Sequence, residues 1–96
     1  SERVYEDDKM IVIRDVAPAA PVHVLMIPKS HTENITTAEP ELLLHMLGKV
    51  RELAEKLGVD AKGFRIVANT GDDGGQTVKH LHIHLLGGKA LGWPPC

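Results

Sequence analysis

Three histidines, His80, His82 and His84, alternate with large aliphatic residues near the end of the chain. Strict alternation is the period of a half-buried β-strand, so the pattern predicts that the three imidazoles project from one face of a strand. The other face then carries Leu81, Ile83 and Leu85. An imidazole near neutral pH can act as a nucleophile, a proton carrier or a metal ligand. The row therefore predicts a site of catalysis or of metal binding.

The spacing of the row argues against a zinc ion held by all three rings. His80 and His84 are four residues apart, which is about 13 Å between α-carbons at about 3.3 Å per residue. Side chains of strands stand upright, so both rings would have to lie along the strand to reach one ion. Two of the histidines with a third ligand such as His31 remain a geometric alternative. We expect no bound metal and no other cofactor.

A glycine-rich polar segment, residues 70–77, leads directly into the histidine row. Gly74 and Gly75 allow the backbone to approach a ligand closely and to turn its N–H groups towards an anion. A simple hairpin connection would have the same composition. A neutral imidazole beside such donors suits nucleophilic attack at phosphorus, and the adjacency of the two features favours covalent catalysis on a phosphate compound.

The remaining sequence predicts an α+β domain with a five-stranded antiparallel sheet and one main helix on one face. Helical periodicity runs from Pro40 to Gly58, with Thr37 as the N-cap. Apolar runs between turn signals predict four strands besides the histidine strand, at 4–6, 9–15, 22–27 and 64–69. The strand at 22–27 is apolar enough to be covered on both faces. The single helix should cover the aliphatic side of the histidine strand and leave the imidazoles on the open face.

The sequence also gives expectations for several side chains outside the histidine row. Asp15 continues an apolar stripe and either caps the strand end or points into a site. His23 is expected to be a hydrogen-bonded core residue, whereas His45 lies off the apolar helix stripe and is expected to be solvated. The tail, residues 87–96, should be extended, and its Trp93 either packs back on its own sheet or covers a partner subunit.

Length and composition limit the classes of protein to consider. The 96 residues are the size of a single domain, and a net charge of -2 with scattered cations offers no basic patch for nucleic acid. The one cysteine, Cys96, excludes a disulfide framework within the chain. No run approaches the roughly 20 apolar residues of a membrane span, and no signal-peptide pattern is present. We expect a cytoplasmic protein with no nucleic-acid or membrane partner.

The segment from Gly74 to Gly88 resembles the histidine-triad (HIT) family signature, in which three histidines alternate with aliphatic residues. Trp93-Pro94-Pro95 is similar to the C-terminus of the Hint branch of that family. The resemblance extends over Asp7-Asp8, Asp15, Ile27 to His31, the helix and Asn69, and so over essentially the whole chain. It implies a HIT-like fold in a single domain, residues 1–96, with the sheet continued across a homodimer and the tail at the interface.

The resemblance also implies a purine nucleoside phosphoramidase. His82 would take the nucleotidyl group from a nucleoside 5'-phosphoramidate, such as adenosine 5'-phosphoramidate or an aminoacyl-type adduct, and water would release the monophosphate. His84 would contact the phosphate and help to protonate the leaving amine. His80 would orient His82, and His31 would complete the catalytic group.

For the nucleotide, the resemblance implies that Asp15 accepts hydrogen bonds from the ribose hydroxyls. Ile13 and Val16 would form the purine slot, with Arg14 at its rim. Gln76 and Thr77 would bind phosphate oxygens beside Gly75 of the nucleotide-binding turn, and Asn69 would contact the phosphate or the sugar region. Trp93 would reach the neighbouring subunit's site and affect which amine leaves.

Three other functions are compatible with the same sequence features. A dinucleoside-polyphosphate hydrolase or a nucleotidyl transferase would use the same chemistry with a different leaving group. A nucleotide-binding interaction module would bind a monophosphate tightly with little turnover. A metal protein is the third, and it predicts stoichiometric zinc in the purified protein.

Overall fold

The computed structural model describes residues 2–95 as five strands and two helices. The strands are β1 (Arg3–Glu6), β2 (Met10–Arg14), β3 (Val22–Pro28), β4 (Phe64–Val67) and β5 (Ile83–Gly87). The helices are α1 (Pro40–Gly48) and α2 (Val50–Leu57). Ser1 and Cys96, which the predicted domain and the predicted tail include, lie outside the described residues. No helix of residues 2–95 is long and apolar enough to cross a membrane.

The five strands form one sheet in the order β1-β2-β3-β5-β4, and every neighbouring pair is antiparallel. This confirms the predicted α+β class with a five-stranded antiparallel sheet. The histidine-bearing strand β5 lies between β3 and β4, so its side chains are flanked on both sides. The two edges of the sheet are β1 and β4.

The helical segment covers one face of the sheet, and the core lies between them. Met46, Leu53 and Ala54 of the helices are buried against apolar side chains from three strands; these are Met10, Val12, Val24, Met26, Ile83 and Leu85. The opposite face is open: Leu25 and Ile27 of β3 are only half-buried there. The expectation that β3 is covered on both faces is therefore wrong, because the described residues supply helices for only one face.

The predicted helix is interrupted at Lys49, which separates α1 from α2. Gly48, a poor helix former, ends α1 immediately before the interruption. At the other end of α2, Gly58 has the left-handed conformation of a C-cap, as predicted. Thr37 is not the N-cap; that position is Glu39. The Thr37 hydroxyl instead accepts hydrogen bonds from backbone N–H groups of the preceding turn.

The β1–β2 hairpin is attached to α1 through the carboxylate of Asp7. One oxygen accepts hydrogen bonds from the backbone N–H groups of Lys9 and Met10, and the other accepts from the Tyr5 hydroxyl and lies 2.8 Å from His45 Nε2. Burial alone would raise the pKa of Asp7, but these hydrogen bonds outweigh it and hold the pKa well below its usual value. His45 is thus bonded to Asp7 and half-buried, and the expectation that it is solvated is wrong.

Candidate active site

The alternation predicted for the histidine row is present. Leu81, Ile83 and Leu85 are buried on the helix side, while the three histidines are half-buried on the open face. The regular strand begins only at Ile83, because the backbone N–H of Leu81 donates to the Thr32 carbonyl oxygen rather than to β3. His80 and His82 therefore precede the strand that was predicted to contain them.

The sheet register builds rows of side chains across the open face. His84 on β5 lies opposite Leu25 on β3, and Leu25 lies opposite Ile13 on β2. Asp15 follows β2 and donates its backbone N–H to the His23 carbonyl oxygen on β3. Residues opposite one another in antiparallel strands share a face. The open face thus places Ile13, Asp15 and His23 beside the histidine row.

The hydrogen bond of His82 fixes which of its nitrogens is free. Its Nδ1 lies 2.8 Å from the carbonyl oxygen of His80. A carbonyl oxygen can only accept, so Nδ1 carries the proton of the neutral ring. The lone pair then lies on Nε2, which makes no hydrogen bond within residues 2–95. Nε2 of His82 is therefore available as a nucleophile.

A chain of hydrogen bonds gives His84 the opposite character. The backbone N–H of Ala19 donates to Nδ1 of His23, so the proton of neutral His23 is on Nε2. That Nε2 lies 2.9 Å from Nδ1 of His84, which accepts its proton in hydrogen bonding. Neutral His84 then carries its own proton on Nε2. His84 is a hydrogen-bond donor at the nitrogen where His82 has a lone pair.

Burial lowers the pKa of the His84 imidazole below its usual value, and the neighbouring rings of His82 and His23 lower it further, against an opposing effect of Asp15. The hydrogen bond from His23 acts in the same direction, because it occupies the nitrogen that would take the extra proton. Both effects keep His84 neutral. They support a role as a neutral donor to phosphate oxygens and oppose a role as the acid that protonates the leaving amine.

His80 and His31 form a second imidazole pair beside His82. His80 Nε2 lies 3.1 Å from the carbonyl oxygen of Pro28 and donates to it, so His80 Nδ1 accepts from Nδ1 of His31 at 2.8 Å. The same His80 supplies the carbonyl that holds His82. The structure therefore brings together all four histidines expected at the site, and the His31–His80 pair holds the backbone that orients His82.

The glycine-rich segment folds into a turn in which part of the backbone donors are used internally. The N–H of Gly75 donates to Asp72, and the N–H of Gln76 donates to Gly71. The Gln76 side chain is buried: its amide donates to the carbonyl oxygens of Glu33 and Val78, and its oxygen accepts from Asn34 and Gly71. Within residues 2–95, Thr77 makes no hydrogen bond with its N–H or its hydroxyl. Of the expected phosphate-binding residues of this turn, Thr77 has free donors, whereas Gly75 and Gln76 have none.

Of the residues expected to bind the nucleoside, Ile13 and Asp15 lie on the open face, whereas Arg14 is opposite the buried Val24 and so belongs to the helix side. Asp15 is half-buried, accepts a hydrogen bond from Ala17 N–H and lies 3.4 Å from His23 Nε2. Ile13 is half-buried on the same face, and Val16 is exposed. The guanidinium of Arg14 lies 3.5 Å from the Glu2 carboxylate. On the other side of the histidine row, Asn69 donates to the Gly74 carbonyl oxygen and so holds the glycine turn.

His23 is the residue of this site that the sequence did not identify. It is buried and hydrogen-bonded, as expected, but its partner is His84, so it acts on the histidine row. Its position on the same strand face as Leu25 and Ile27 is the only signal in the sequence. That signal becomes informative only when the pairing of β3 with β5 is known.

Asp15, His23 and His84 also bring three potential metal-binding atoms within 4.8 Å of one another. A metal ligand must offer a lone pair. His23 Nε2 carries a proton as long as Ala19 N–H donates to the other nitrogen. Binding of a metal ion to His23 Nε2 would therefore break the hydrogen bond from Ala19 N–H. The arrangement favours a proton on His23 Nε2 over a metal ion there.

Comparison with known proteins identifies the family. The HIT domain model matches residues 1–91. The chain belongs to the HIT domain family. An uncharacterized HIT-like protein of Synechococcus elongatus is 56% identical over 95 residues, which cover 96% of this chain and 82% of that protein. The family predicted from the histidine row is thus confirmed, and the Hint branch stays a prediction.

Solved structures of other HIT proteins have the same fold. A HIT family hydrolase from Legionella pneumophila superposes with a TM-score of 0.93 at 41% identity, covering 98% of this chain and 87% of that one. A histidine triad protein from Clostridium difficile has a TM-score of 0.89 at 40% identity, covering 96% of this chain and 83% of that one. The HIT-like fold is therefore confirmed.

Proposed function

We propose that this HIT protein hydrolyses purine nucleoside 5'-phosphoramidates to a nucleoside monophosphate and an amine, through a nucleotidyl group carried on His82. The observation that carries the proposal is the hydrogen bond between His82 Nδ1 and the His80 carbonyl oxygen. It leaves the lone pair of the neutral ring on Nε2, which an attack on phosphorus requires. That HIT proteins of known structure include a hydrolase supports the reaction class.

In the first step, His82 Nε2 forms a bond to phosphorus and the phosphorus–nitrogen bond of the substrate breaks. The leaving nitrogen takes one proton from solvent and departs as the amine. His84 donates from Nε2 to a phosphoryl oxygen and stabilises the charge that develops there. Because His84 is a neutral donor in this proposal, it does not supply the proton of the amine, which differs from the dual role expected from the family resemblance.

In the second step, water attacks the same phosphorus atom. The bond between phosphorus and His82 Nε2 breaks, the monophosphate is released, and the water loses one proton to solvent. Thr77 would supply phosphate contacts in both steps, since its donors are free. Asp15 would accept hydrogen bonds from the ribose hydroxyls, and Ile13 would contact the purine. We also propose that the protein works in the cytoplasm.

We propose in addition that the protein is a homodimer paired through β4. The other edge strand, β1, carries the charged residues Arg3 and Glu6 and an irregular register, which are features that discourage edge pairing. Strand β4 instead has Phe64 and Ile66 exposed, at 38% and 41%. Arg65 is the one charged residue of β4, and the outer edge of the strand is unpaired within the described residues. Such an edge suits pairing with a second copy, which would continue the sheet.

The test of the function is steady-state release of monophosphate from adenosine 5'-phosphoramidate. The native protein should turn over the substrate, and His82→Ala should abolish turnover. His45→Asn is a matched control. His45 lies on the helix side of the sheet, so its substitution should leave activity intact. Equal rates for the native protein and His82→Ala would refute the proposal. Faster cleavage of a dinucleoside polyphosphate would favour that alternative, and tight monophosphate binding without turnover would favour an interaction module.

A further inference from the structure

The tail is attached to the open face through Arg65. Arg65 is on the edge strand β4 opposite Leu86 of β5, and Leu86 is opposite His23 of β3. Arg65 therefore stands on the same face as the histidine row. Its Nη2 donates to the carbonyl oxygen of Gly92 at 2.8 Å. This is the one hydrogen bond between residues 89–95 and the rest of the described chain.

Trp93 follows Gly92 directly and is 81% exposed. A tryptophan contributes a large apolar surface, which is costly to leave in water. Trp93 does not pack on its own sheet, so the second of its two expected positions, against another subunit, is the one that accounts for its exposure. Arg65 holds Gly92, the residue before Trp93, beside the unpaired edge of the sheet, where a second copy would join.

We infer that Arg65 is a positioning residue for Trp93: its hydrogen bond to Gly92 sets where the indole lies and thereby which leaving groups the neighbouring subunit's site accepts. The inference rests on the proposed phosphoramidase function and on the β4-paired dimer. In that dimer the open faces of the two sheets meet at β4, and a side chain presented from this edge lies at the junction between the two faces. The Arg65 side chain bonds to the tail at Gly92, so we place its effect on Trp93 and not on the reacting atoms.

The selectivity test compares two substrates that differ only in the leaving group. The ratio of kcat/KM for a tryptamine phosphoramidate of adenosine to that for the unsubstituted phosphoramidate is measured for the native protein, Arg65→Ala, Arg65→Lys and Trp93→Ala. Arg65→Ala should change the ratio about two- to tenfold, the range of a single aromatic contact, with the unsubstituted substrate little affected. Arg65→Lys, which keeps a donor, should recover part of the native ratio. Lys89→Ala removes a cation of the tail itself and should leave the ratio unchanged.

Two results would overturn the inference. One is an equal loss of both rates in Arg65→Ala, which would indicate a general structural role. The other is a fold change of the ratio in the Arg65→Ala/Trp93→Ala double variant that equals the product of the two single fold changes, because residues that act as a unit do not have independent effects. Sedimentation of each variant shows whether the dimer is retained.

A second measurement separates this inference from the proposed function. Trp93 is the only tryptophan of the chain, so its fluorescence reports on the tail alone. Quenching by acrylamide should differ between Arg65→Ala and the native protein, and should be the same for Lys89→Ala and the native protein. If no phosphoramidate is cleaved, the proposed function fails and this quenching still decides the role of Arg65. Identical quenching of Arg65→Ala and the native protein would refute that role.

Discussion

Replacing Gln76 tests whether this residue holds the phosphate or holds the loop. Its buried side chain makes four hydrogen bonds, two as donor and two as acceptor. A hydrogen bond contributes about 1 kcal/mol net, so Gln76→Ala forfeits up to about 4 kcal/mol. Water can reach some of the abandoned groups, since Glu33 and Val78 are exposed. We therefore expect a loss of about 2–3 kcal/mol, which a domain with a stability of about 5–15 kcal/mol survives.

Gln76→Glu sharpens the test because it keeps the shape of the side chain. The carboxylate can still accept from Asn34 and Gly71, but it cannot donate to the carbonyl oxygens of Glu33 and Val78. A buried charge facing two carbonyl oxygens costs more than the loss of the amide. Gln76→Glu should therefore be less stable than Gln76→Ala at neutral pH. The difference between their free energies of unfolding should decrease at acid pH, as the carboxylate takes a proton and becomes a donor.

The assays are urea unfolding followed by circular dichroism and steady-state kinetics with adenosine 5'-phosphoramidate. Thr77→Ala is the matched control, since Thr77 is exposed and its donors are free. It should change stability by no more than about 0.5 kcal/mol while it raises KM. A Gln76→Ala variant that keeps native stability and only raises KM would refute the loop-holding role, because that pattern indicates a direct phosphate contact.

Three further outcomes follow from the structure. Asp7→Asn should lower the free energy of unfolding by about 1.5–3 kcal/mol at pH 7, because it weakens hydrogen bonds to a charged group. The lowered pKa of Asp7 places this stabilisation above its usual pKa of 3.8, so the difference between the variant and the native protein, measured by urea unfolding, should shrink as pH falls below about 4. Ile66→Lys should yield a folded monomer in sedimentation experiments, and a dimer that persists would contradict pairing through β4. His84→Ala should lower kcat about 100-fold and His84→Gln, which keeps a neutral donor, should lower it less; equal losses would contradict the donor role.

The fold could be predicted from sequence wherever a period determined the outcome. Alternation placed Leu81, Ile83 and Leu85 on the buried side because a strand has only two faces. Helical periodicity predicted one continuous helix but not its interruption at Lys49, since the pattern of apolar residues continues across it. The sequence also did not indicate that β3 has an open face, because apolar residues occupy both of its sides.

The site was predicted only as far as residue types. The three histidines of the row are equivalent in the sequence, and the family resemblance alone distinguished His82. In the structure their hydrogen bonds distinguish them: His82 has its lone pair on Nε2, and His84 has a proton there. The bond of His82 is local, because its partner His80 is two residues earlier in the signature. The bonds that set the proton of His84 come from distant residues, Ala19 and His23, and no spacing within the signature indicates them.

The central step of the proposed reaction is the formation of a covalent bond between His82 and the nucleotidyl group. Native protein mixed in excess with adenosine 5'-phosphoramidate, quenched in denaturant within a single turnover and analysed by mass spectrometry, tests it directly. We expect a fraction of the protein to carry one added nucleotidyl group on the peptide that contains His82, located there by fragmentation, and none in His82→Ala. A nucleotidyl group located on His80 or His84, or full turnover by His82→Ala, would contradict the assignment.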